Sequence, residues 1–218
     1  MKQGLAAAAT GRKARASTRK NLDRLLMKAA ALIAQKGYEA TSMRDLSTAT
    51  NQSLAGLYHY FASKEDIFFG IVEQAIQESL AIARESISAP GSVREKLMLY
   101  AQRLIHYVKD NGELLHAIYH ELHRSDNPAN VAKLREAMDR ARSAWEVLAE
   151  PLKKGIEDRT LRRCDPMQLV VLFDGMLRGY CFHRFAMERM RSDTDFTAAA
   201  EFITSVFLDG IVERKRKG

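Results

Sequence analysis

The sequence contains few of the residues that interrupt regular structure. Four prolines and twelve glycines among 218 residues are too few for the turns of a many-stranded fold, so a helical fold is favoured. The two cysteines, Cys164 and Cys181, lack metal-type spacing and fit a reducing cytoplasm better than a disulfide framework. No apolar run reaches about 18 residues, and Ala6–Ala9 is too short for a signal peptide. We therefore expect a helical, cytoplasmic protein without a membrane partner.

Positive charge is concentrated at the two ends of the chain. Residues 1–20 carry six bases and no acid, and the last eight residues have a net charge of +3, which leaves −2 for residues 21–210 out of a total of +7. Such tails are usually solvated, and we interpret residues 214–218 in that way. The basic arm at 1–20 is either simply disordered or follows phosphates and the minor groove of DNA.

Apolar spacing and capping signals predict nine helices and no strand, an all-α fold. Asn111-Gly112 is expected to separate the fifth helix from the sixth, and Pro151 to kink the seventh. The helices are expected at about 22–36, 43–49, 53–60, 64–88, 93–110, 113–123, 129–156, 166–189 and 196–212.

The first three helices follow a helix-turn-helix plan. Ser42 and Asp45 form a capping box at the start of the second helix, and Asn51 can adopt the left-handed conformation that a tight turn needs. The third helix is short enough to lie in a major groove about 12 Å wide, while the second braces it. This plan, behind a basic arm, predicts contact with double-stranded DNA.

The segment Gly37 to Asp66, GYEATSMRDLSTATNQSLAGLYHYFASKED, resembles the N-terminal domain of the tetracycline-repressor (TetR) family. LYHYFASKE is the most specific part of the match, and beyond the segment only the helix count and lengths agree. The resemblance implies a DNA-binding domain over residues 21–66 and a ligand-sensing and dimerisation domain over 67–213. It implies a homodimeric repressor released from a palindromic operator by a small-molecule effector, with no enzymatic activity and no cofactor.

The resemblance also implies which residues contact DNA. Thr41 or Ser42, Tyr58 and Lys64 would meet phosphates. The residues facing the groove would be Arg44, Ser53, Leu54, Ala55, Gly56 and His59.

The turn and the third helix depart from the family pattern at four positions. Asn51-Gln52 replaces the usual glycine-valine, so the amide of Gln52 needs a partner or solvent. Leu54 replaces a basic residue that is frequent in the family at this position. Gly56 replaces a threonine or serine that is frequent at its position. These departures affect the operator sequence rather than the fold.

Amphipathic residues near the middle of the second domain are the expected ligand-binding set. In family terms the pocket lies among helices four to eight, and the candidates are Tyr107, Tyr119, Trp145, Met176, Arg178, Tyr180 and His183. The alternative for each residue is that it packs in the core and does not bind a ligand. Arg178 in particular would bind a ligand anion, pair with Asp174 on the surface, or form a salt bridge across a dimer.

The last two helices carry large apolar residues at helical spacing. In the family, such a surface closes against a second copy as a four-helix bundle, and the expected interface residues are Phe173, Leu177, Phe202, Val206 and Phe207. The alternative is a monomer that packs both helices inward.

Two rival functions follow from particular residues. His116, His120 and His123, with Glu113 one turn earlier, share a helix face and suggest a metal-dependent enzyme. They lie away from the apolar stripe, however, and HELH is not the pattern of zinc hydrolases, so no metal is expected. Leu54 and Gly56 alone suggest an adaptor that no longer binds DNA.

Overall fold

The computed structural model describes residues 21–124, 128–188 and 196–211. Within these ranges the side chains at 113, 116, 119–124, 128–131, 134, 138, 185–188 and 211 are not described. The basic arm and the C-terminal tail therefore lie outside the described residues, and so do the side chains of Tyr119 and of the three histidines His116, His120 and His123.

Eight helices account for nearly all of the described residues, which confirms the all-α fold. They are α1 (21–36), α2 (Met43–Thr50), α3 (Leu54–Tyr60), α4 (Lys64–Ser88), α5 (Val93–Arg124), α6 (Pro128–Glu157), α7 (Pro166–Glu188) and α8 (Phe196–Ile211). Apart from an isolated bridge at Leu161, the described ranges contain no β structure.

The helix count is eight rather than the predicted nine because the expected fifth and sixth helices meet directly and are counted together as α5. The predicted boundary is present as a kink at Asn111, which departs from helical geometry (φ −121°, ψ 16°). Its side-chain Nδ2 donates to the carbonyl of Tyr107 at 2.9 Å, which gives that carbonyl a partner at the kink. Similarly, Pro151 lies inside α6 without ending the helix.

Local capping chemistry sets the starts of α2, α5 and α7, as predicted. Ser42 and Asp45 form a reciprocal capping box on α2, and Ser92 and Glu95 do the same ahead of α5. Asp165 accepts from the backbone N–H of Met167 at 2.8 Å, just ahead of α7. Each interaction gives a partner to a backbone donor that the helix itself cannot satisfy.

The chain divides into two compact units, Met1–Gln74 and Ala75–Gly218, with the division inside α4. The core of the first unit joins α1, α2, α3 and the start of α4, and Tyr38 packs against Phe68 with ring centroids 4.8 Å apart. Its buried apolar residues include Leu25, Leu26, Ala29, Ile33, Leu46, Leu57, Ile67 and Ile71. This packing fixes α3 on the surface of the unit.

The core of the second unit is built from the later part of α4 and from α5, α6, α7 and α8. Its centre is a run of aromatic rings in which Phe173 lies 4.8 Å from Phe207 and 6.3 Å from Tyr100. Phe173, Leu177 and Phe207 are buried within this single chain. The expectation that they form a dimer interface is therefore wrong for these three, because no surface of theirs is left for a partner.

No helix in the described ranges is both long enough and apolar enough to cross a bilayer.

Thr204 on α8 generates a stability prediction. It is fully buried, at 0% exposure, and its hydroxyl makes no hydrogen bond with any described residue. A buried hydroxyl without a partner costs about 1–3 kcal/mol. Thr204→Val removes it at nearly constant shape and should raise the free energy of unfolding by about 1 kcal/mol, measured by urea denaturation.

Thr50→Val is the matched control, because the buried Thr50 hydroxyl donates to the Leu46 carbonyl at 2.7 Å. Losing that bond should lower the free energy of unfolding by about 0.5–1 kcal/mol. Equal effects of the two substitutions would show that the Thr204 hydroxyl is not unsatisfied.

Candidate nucleic-acid interface and a buried polar cluster

The turn between α2 and α3 is held by its own polar groups. Asn51 adopts the left-handed conformation (φ 57°, ψ 41°), as predicted. The Ser47 hydroxyl donates to the carbonyl of Gln52 at 2.7 Å, while the Gln52 residue itself is exposed to solvent. Ser53 caps α3 by accepting from the N–H of Gly56 at 3.0 Å. The turn therefore presents α3 in one orientation.

One side of α3 anchors the helix and the other faces solvent. Leu57 is fully buried, whereas Leu54, Tyr58 and Tyr60 are among the exposed large side chains of the chain. The other predicted groove residues on α3 divide in the same way: Ser53, Ala55 and His59 are exposed and Gly56 is half-buried. The exposed set offers an imidazole, phenols and an aliphatic group, which can contact base edges and phosphates.

The departure at Gly56 has a local reason. A Cβ at this position would lie 3.1 Å from the capping hydroxyl of Ser53, which is a tight contact. The glycine therefore leaves the Ser53 cap undisturbed, although it lowers helix propensity by about 1 kcal/mol relative to alanine.

Thr41 is not placed to contact a phosphate, which corrects one expectation. It is 2% exposed, and its hydroxyl donates to the carbonyl of Gly37 at 2.7 Å. The neighbouring Ser42 is exposed, but its hydroxyl donates to Asp45 at 2.6 Å and accepts from the Asp45 N–H at 3.2 Å. The Ser42 hydroxyl is thus committed to the start of α2, and the Thr41 hydroxyl to the residue that follows α1.

Asp45 carries an ion pair as well as the cap. The ammonium of Lys36 lies 2.7 Å from its carboxylate. Lys36, followed by Ser42, lowers the pKa of the Asp45 carboxyl well below its usual value. The carboxylate therefore stays ionised at neutral pH and links the end of α1 to α2.

Lys64 and Arg44 supply positive charge in different ways. The Lys64 ammonium donates to the carbonyl of Tyr38 at 3.1 Å and lies 4.2 Å from the centre of the Tyr38 ring. These contacts position the ammonium at the start of α4, where further donors remain for a phosphate. Arg44 is exposed on α2, so its guanidinium is accessible to DNA.

The second unit contains a buried carboxylate that sequence reasoning placed on the surface. Asp174 on α7 is 2% exposed. Its Oδ1 accepts from the Tyr100 hydroxyl at 2.7 Å, and its Oδ2 accepts from Trp145 Nε1 at 3.2 Å and from Arg178 Nε at 2.7 Å. These contacts, here named the Asp174 cluster, join α5, α6 and α7.

The burial of Asp174 follows from the core face of α7 that the structure reveals. Leu169, Val170, Phe173 and Leu177 are all core residues of α7, and position 174 lies on the same face. A carboxylate there must be buried, and the cation four residues later is the natural partner. Of the three roles considered for Arg178, pairing with Asp174 is the one seen. The Arg178 side chain is partly exposed, however, and the Asp174 side chain is buried.

Burial and charge raise the pKa values of Tyr100 and Tyr107 and keep both protonated. Removal from water, followed by the charge of Asp174, raises the pKa of Tyr100 far above its usual value. Burial, followed by the charge of Glu78, raises the pKa of Tyr107 to about 12. Both hydroxyls therefore remain hydrogen-bond donors throughout the physiological range.

The remaining ligand-binding candidates are only partly brought together. Trp145, Met176 and Tyr180 are half-buried and pack with Tyr107 against the core. His183 is exposed on α7, outside this apolar set. The described side chains contain no group of three or more histidine, cysteine or acidic residues that could hold a metal.

A face of exposed apolar side chains runs along α7 and α8. Of the predicted interface residues, Phe202 (66% exposed) and Val206 (48%) lie on it. Sequence reasoning missed Val171, Leu172 and Phe182, which are also exposed. These five residues are here named the α7–α8 face. The sequence pattern of α7 did not reveal Val171, Leu172 or Phe182, because this helix is apolar on most of its surface.

Comparison with known proteins shows similarity to bacterial transcriptional regulators, most clearly over the helix-turn-helix. Residues 25–71 match the family model of bacterial regulatory proteins, tetR family. The chain is 29% identical to the uncharacterized HTH-type transcriptional regulator YezE of Bacillus subtilis over 39% of this chain and 44% of that protein, and thus spans less than half of it. It is 24% identical to the HTH-type transcriptional repressor KstR2 of Mycobacterium tuberculosis over 68% of this chain and 73% of that protein.

Solved structures extend the likeness to nearly the whole chain. The TetR family transcriptional regulator PfmR from Thermus thermophilus has a TM-score of 0.68 and 27% identity, covering 88% of this chain and 100% of that one. The transcriptional regulator FadR from Bacillus subtilis, solved in complex with stearoyl-CoA, has a TM-score of 0.73 and 18% identity, covering 86% and 98%.

Residues 25–71, which contain the helix-turn-helix, thus match the tetR family of bacterial regulatory proteins, and the described residues share the all-α fold of the solved TetR family regulator PfmR.

Proposed function

We propose that this regulator is a homodimeric repressor that binds a palindromic operator and is released from it by a small-molecule effector. The observation that carries the proposal is the exposed outer side of α3, fixed by the Asn51 turn and the Ser53 cap. The proposed DNA-binding domain comprises residues 21–66, and the proposed sensing and dimerisation domain residues 67–213. Its role is regulatory rather than enzymatic.

The division of labour on DNA follows from the side chains of α3 and its neighbours. His59, Leu54 and Ala55 are proposed to read base edges in the major groove, because they are the exposed non-phenolic residues of α3. Tyr58 and Lys64 are proposed to bind phosphates. Phosphate contacts supply affinity for any sequence, and base contacts supply selectivity.

Dimerisation is proposed to occur through the α7–α8 face. Exposed apolar groups concentrated on two adjacent helices are unusual for a monomer and mark an interaction surface. A second copy related by a two-fold axis would bury the same face on both chains. Two helix-turn-helix units would then meet two half-sites, which explains why the operator should be a palindrome.

The effector is proposed to bind in the second unit, near the Asp174 cluster. Half-buried aromatic and apolar side chains with a few polar groups are the usual lining of a small-molecule site. The relative FadR was solved with stearoyl-CoA, which supports a small-molecule effector for this fold. An effector that weakens operator binding must itself bind less tightly in the presence of operator, by the same factor.

The DNA proposal predicts different effects for two substitutions. His59→Ala should narrow the free-energy gap between operator and random DNA by about 1–3 kcal/mol, because it removes a base contact. Lys64→Ala should weaken binding to both DNAs alike and reduce the salt dependence by about one ion per subunit. Fluorescence anisotropy would measure both, with an operator selected from random duplexes.

Lys153→Ala is the control, since this exposed lysine lies on α6 in the second unit. It should leave affinity and salt dependence unchanged. The assignment of α3 to the groove is wrong if His59→Ala lowers affinity for operator and random DNA by the same factor.

The dimer proposal predicts that a charged substitution at one exposed apolar residue of the α7–α8 face disrupts the dimer. Phe202→Asp places a charge at the most exposed side chain of the α7–α8 face and should convert the protein to a monomer. Light scattering should give a mass near 24.6 kDa for this variant and about twice that for the unaltered chain.

Met27→Asp is the matched control, because Met27 is also a strongly exposed apolar residue but lies on α1. It should leave the dimer intact. A monomeric mass for the unaltered chain at micromolar concentration contradicts the dimer proposal.

A further inference from the structure

Gln52 lies in the turn between α2 and α3, directly before the Ser53 cap, and its backbone is held in place. Its N–H donates to the carbonyl of Ser47 at 3.1 Å, and its carbonyl accepts from the hydroxyl of the same serine at 2.7 Å. The preceding Asn51 adopts the left-handed conformation. The backbone at Gln52 is therefore fixed relative to α2, and the fold sets the direction in which the side chain leaves the turn.

The side-chain amide of Gln52 is accessible. The residue is exposed, and within the part of the chain that the structure describes its hydrogen bonds involve only the backbone. The amide carries an NH₂ donor and a carbonyl acceptor side by side. Both groups are therefore available to a partner outside the protein.

The amide lies against the first turn of α3. Its Oε1 is 3.5 Å from the point that a Cβ of Gly56 would occupy, so the glycine leaves the helix surface beside the amide open. His59 follows Gly56 by three residues and lies on the same side of the helix, about 4.5 Å further along the axis. The exposed His59 ring lies edge-to-face with Tyr60, with ring centroids 5.4 Å apart. Gln52 and His59 therefore belong to one polar strip along α3.

A glutamine amide matches one base in the major groove better than the other three. Adenine presents the acceptor N7 beside the donor N6, so the amide can donate to N7 while its carbonyl accepts from N6. Guanine presents two acceptors in the corresponding places, and each pyrimidine presents a single polar group. Adenine alone therefore satisfies both groups of the amide at once.

We propose that Gln52 is a specificity-determining residue that recognises an adenine in each operator half-site through this bidentate contact. The inference rests on the proposed function, in which the N-terminal residues of α3 meet the base edges. It adds a base contact from outside α3 to those proposed for Leu54, Ala55 and His59. Since successive base pairs are about 3.4 Å apart, the adenine should lie within about two base pairs of the pair that His59 contacts.

The test measures base preference position by position. An operator is selected from random duplexes with the unaltered protein, and each base pair of one half-site is then changed in turn. Fluorescence anisotropy gives the affinity for every duplex. Replacement of the recognised adenine should weaken binding about tenfold, as expected for one bidentate base contact. Gln52→Ala should abolish this preference and keep the preferences at all other positions.

A second substitution distinguishes a base contact from a structural effect. Gln52→Glu should shift the preference at that position from adenine to cytosine, because a carboxylate only accepts hydrogen bonds and cytosine presents the N4 donor. Loss of packing or of a phosphate contact would not produce such a shift. Gln35→Ala is the matched control, since Gln35 is an exposed glutamine of the same unit that lies on α1. It should leave the preference at every position unchanged.

The inference is wrong if Gln52→Ala keeps the full adenine preference, or if it weakens binding to operator and random DNA by the same factor. It is also wrong if the lost preference is for another base, or if the Gln52→Glu variant still prefers adenine. In all these cases, selective binding of the operator by the unaltered protein leaves the proposed function standing. Failure to select any duplex above random DNA would instead overturn the proposed function, and this inference with it.

Discussion

The second unit depends on one interaction, the burial of the Asp174 carboxylate. A charged group without partners inside a helical core would be strongly destabilising. Here three donors from α5, α6 and α7 satisfy it, and each donor requires its own helix at a fixed position and rotation. An apolar core tolerates small sliding of its helices, but a hydrogen-bonded carboxylate does not. The packing around Phe173 and the orientation of Arg178 are both set by this constraint.

The same constraint reaches the proposed dimer interface. Asp174 lies on α7, the helix that also contributes Val171, Leu172 and Phe182 to the α7–α8 face. The hydrogen bonds of Asp174 therefore also fix the rotation of the helix that carries these exposed side chains.

Helix caps and turn conformations could be predicted from the sequence, because one or two residues decide each of them. The caps at Ser42, Ser92 and Asp165 and the left-handed Asn51 are of this kind. The boundary expected at Asn111 is present as a kink with non-helical backbone geometry, although the two helical segments that meet there form one continuous element. The hydroxyl of Thr41, by contrast, has a backbone acceptor within reach, and only the fold shows which acceptor it uses.

Inner and outer sides of α7 could not be separated from the pattern alone. This helix is apolar on most of its surface, so periodicity gives no clear direction, and Phe173 and Leu177 were placed outward when they are core. The groove-facing side of α3 was predictable because Leu57 is its one strong anchor. The ligand-binding set was the hardest, since its members come from three helices and share no sequence spacing.

The central claim is that the chain is a two-fold symmetric, sequence-specific DNA-binding protein. The most direct measurement compares the affinity of the ligand-free protein for a selected operator with its affinity for a single half-site in a duplex of equal length. A symmetric dimer should bind the full site far more tightly, and should do so only when the half-site centres lie about 34–36 Å apart or a multiple of that distance. Equal affinity for the half-site and the full palindrome would contradict the account.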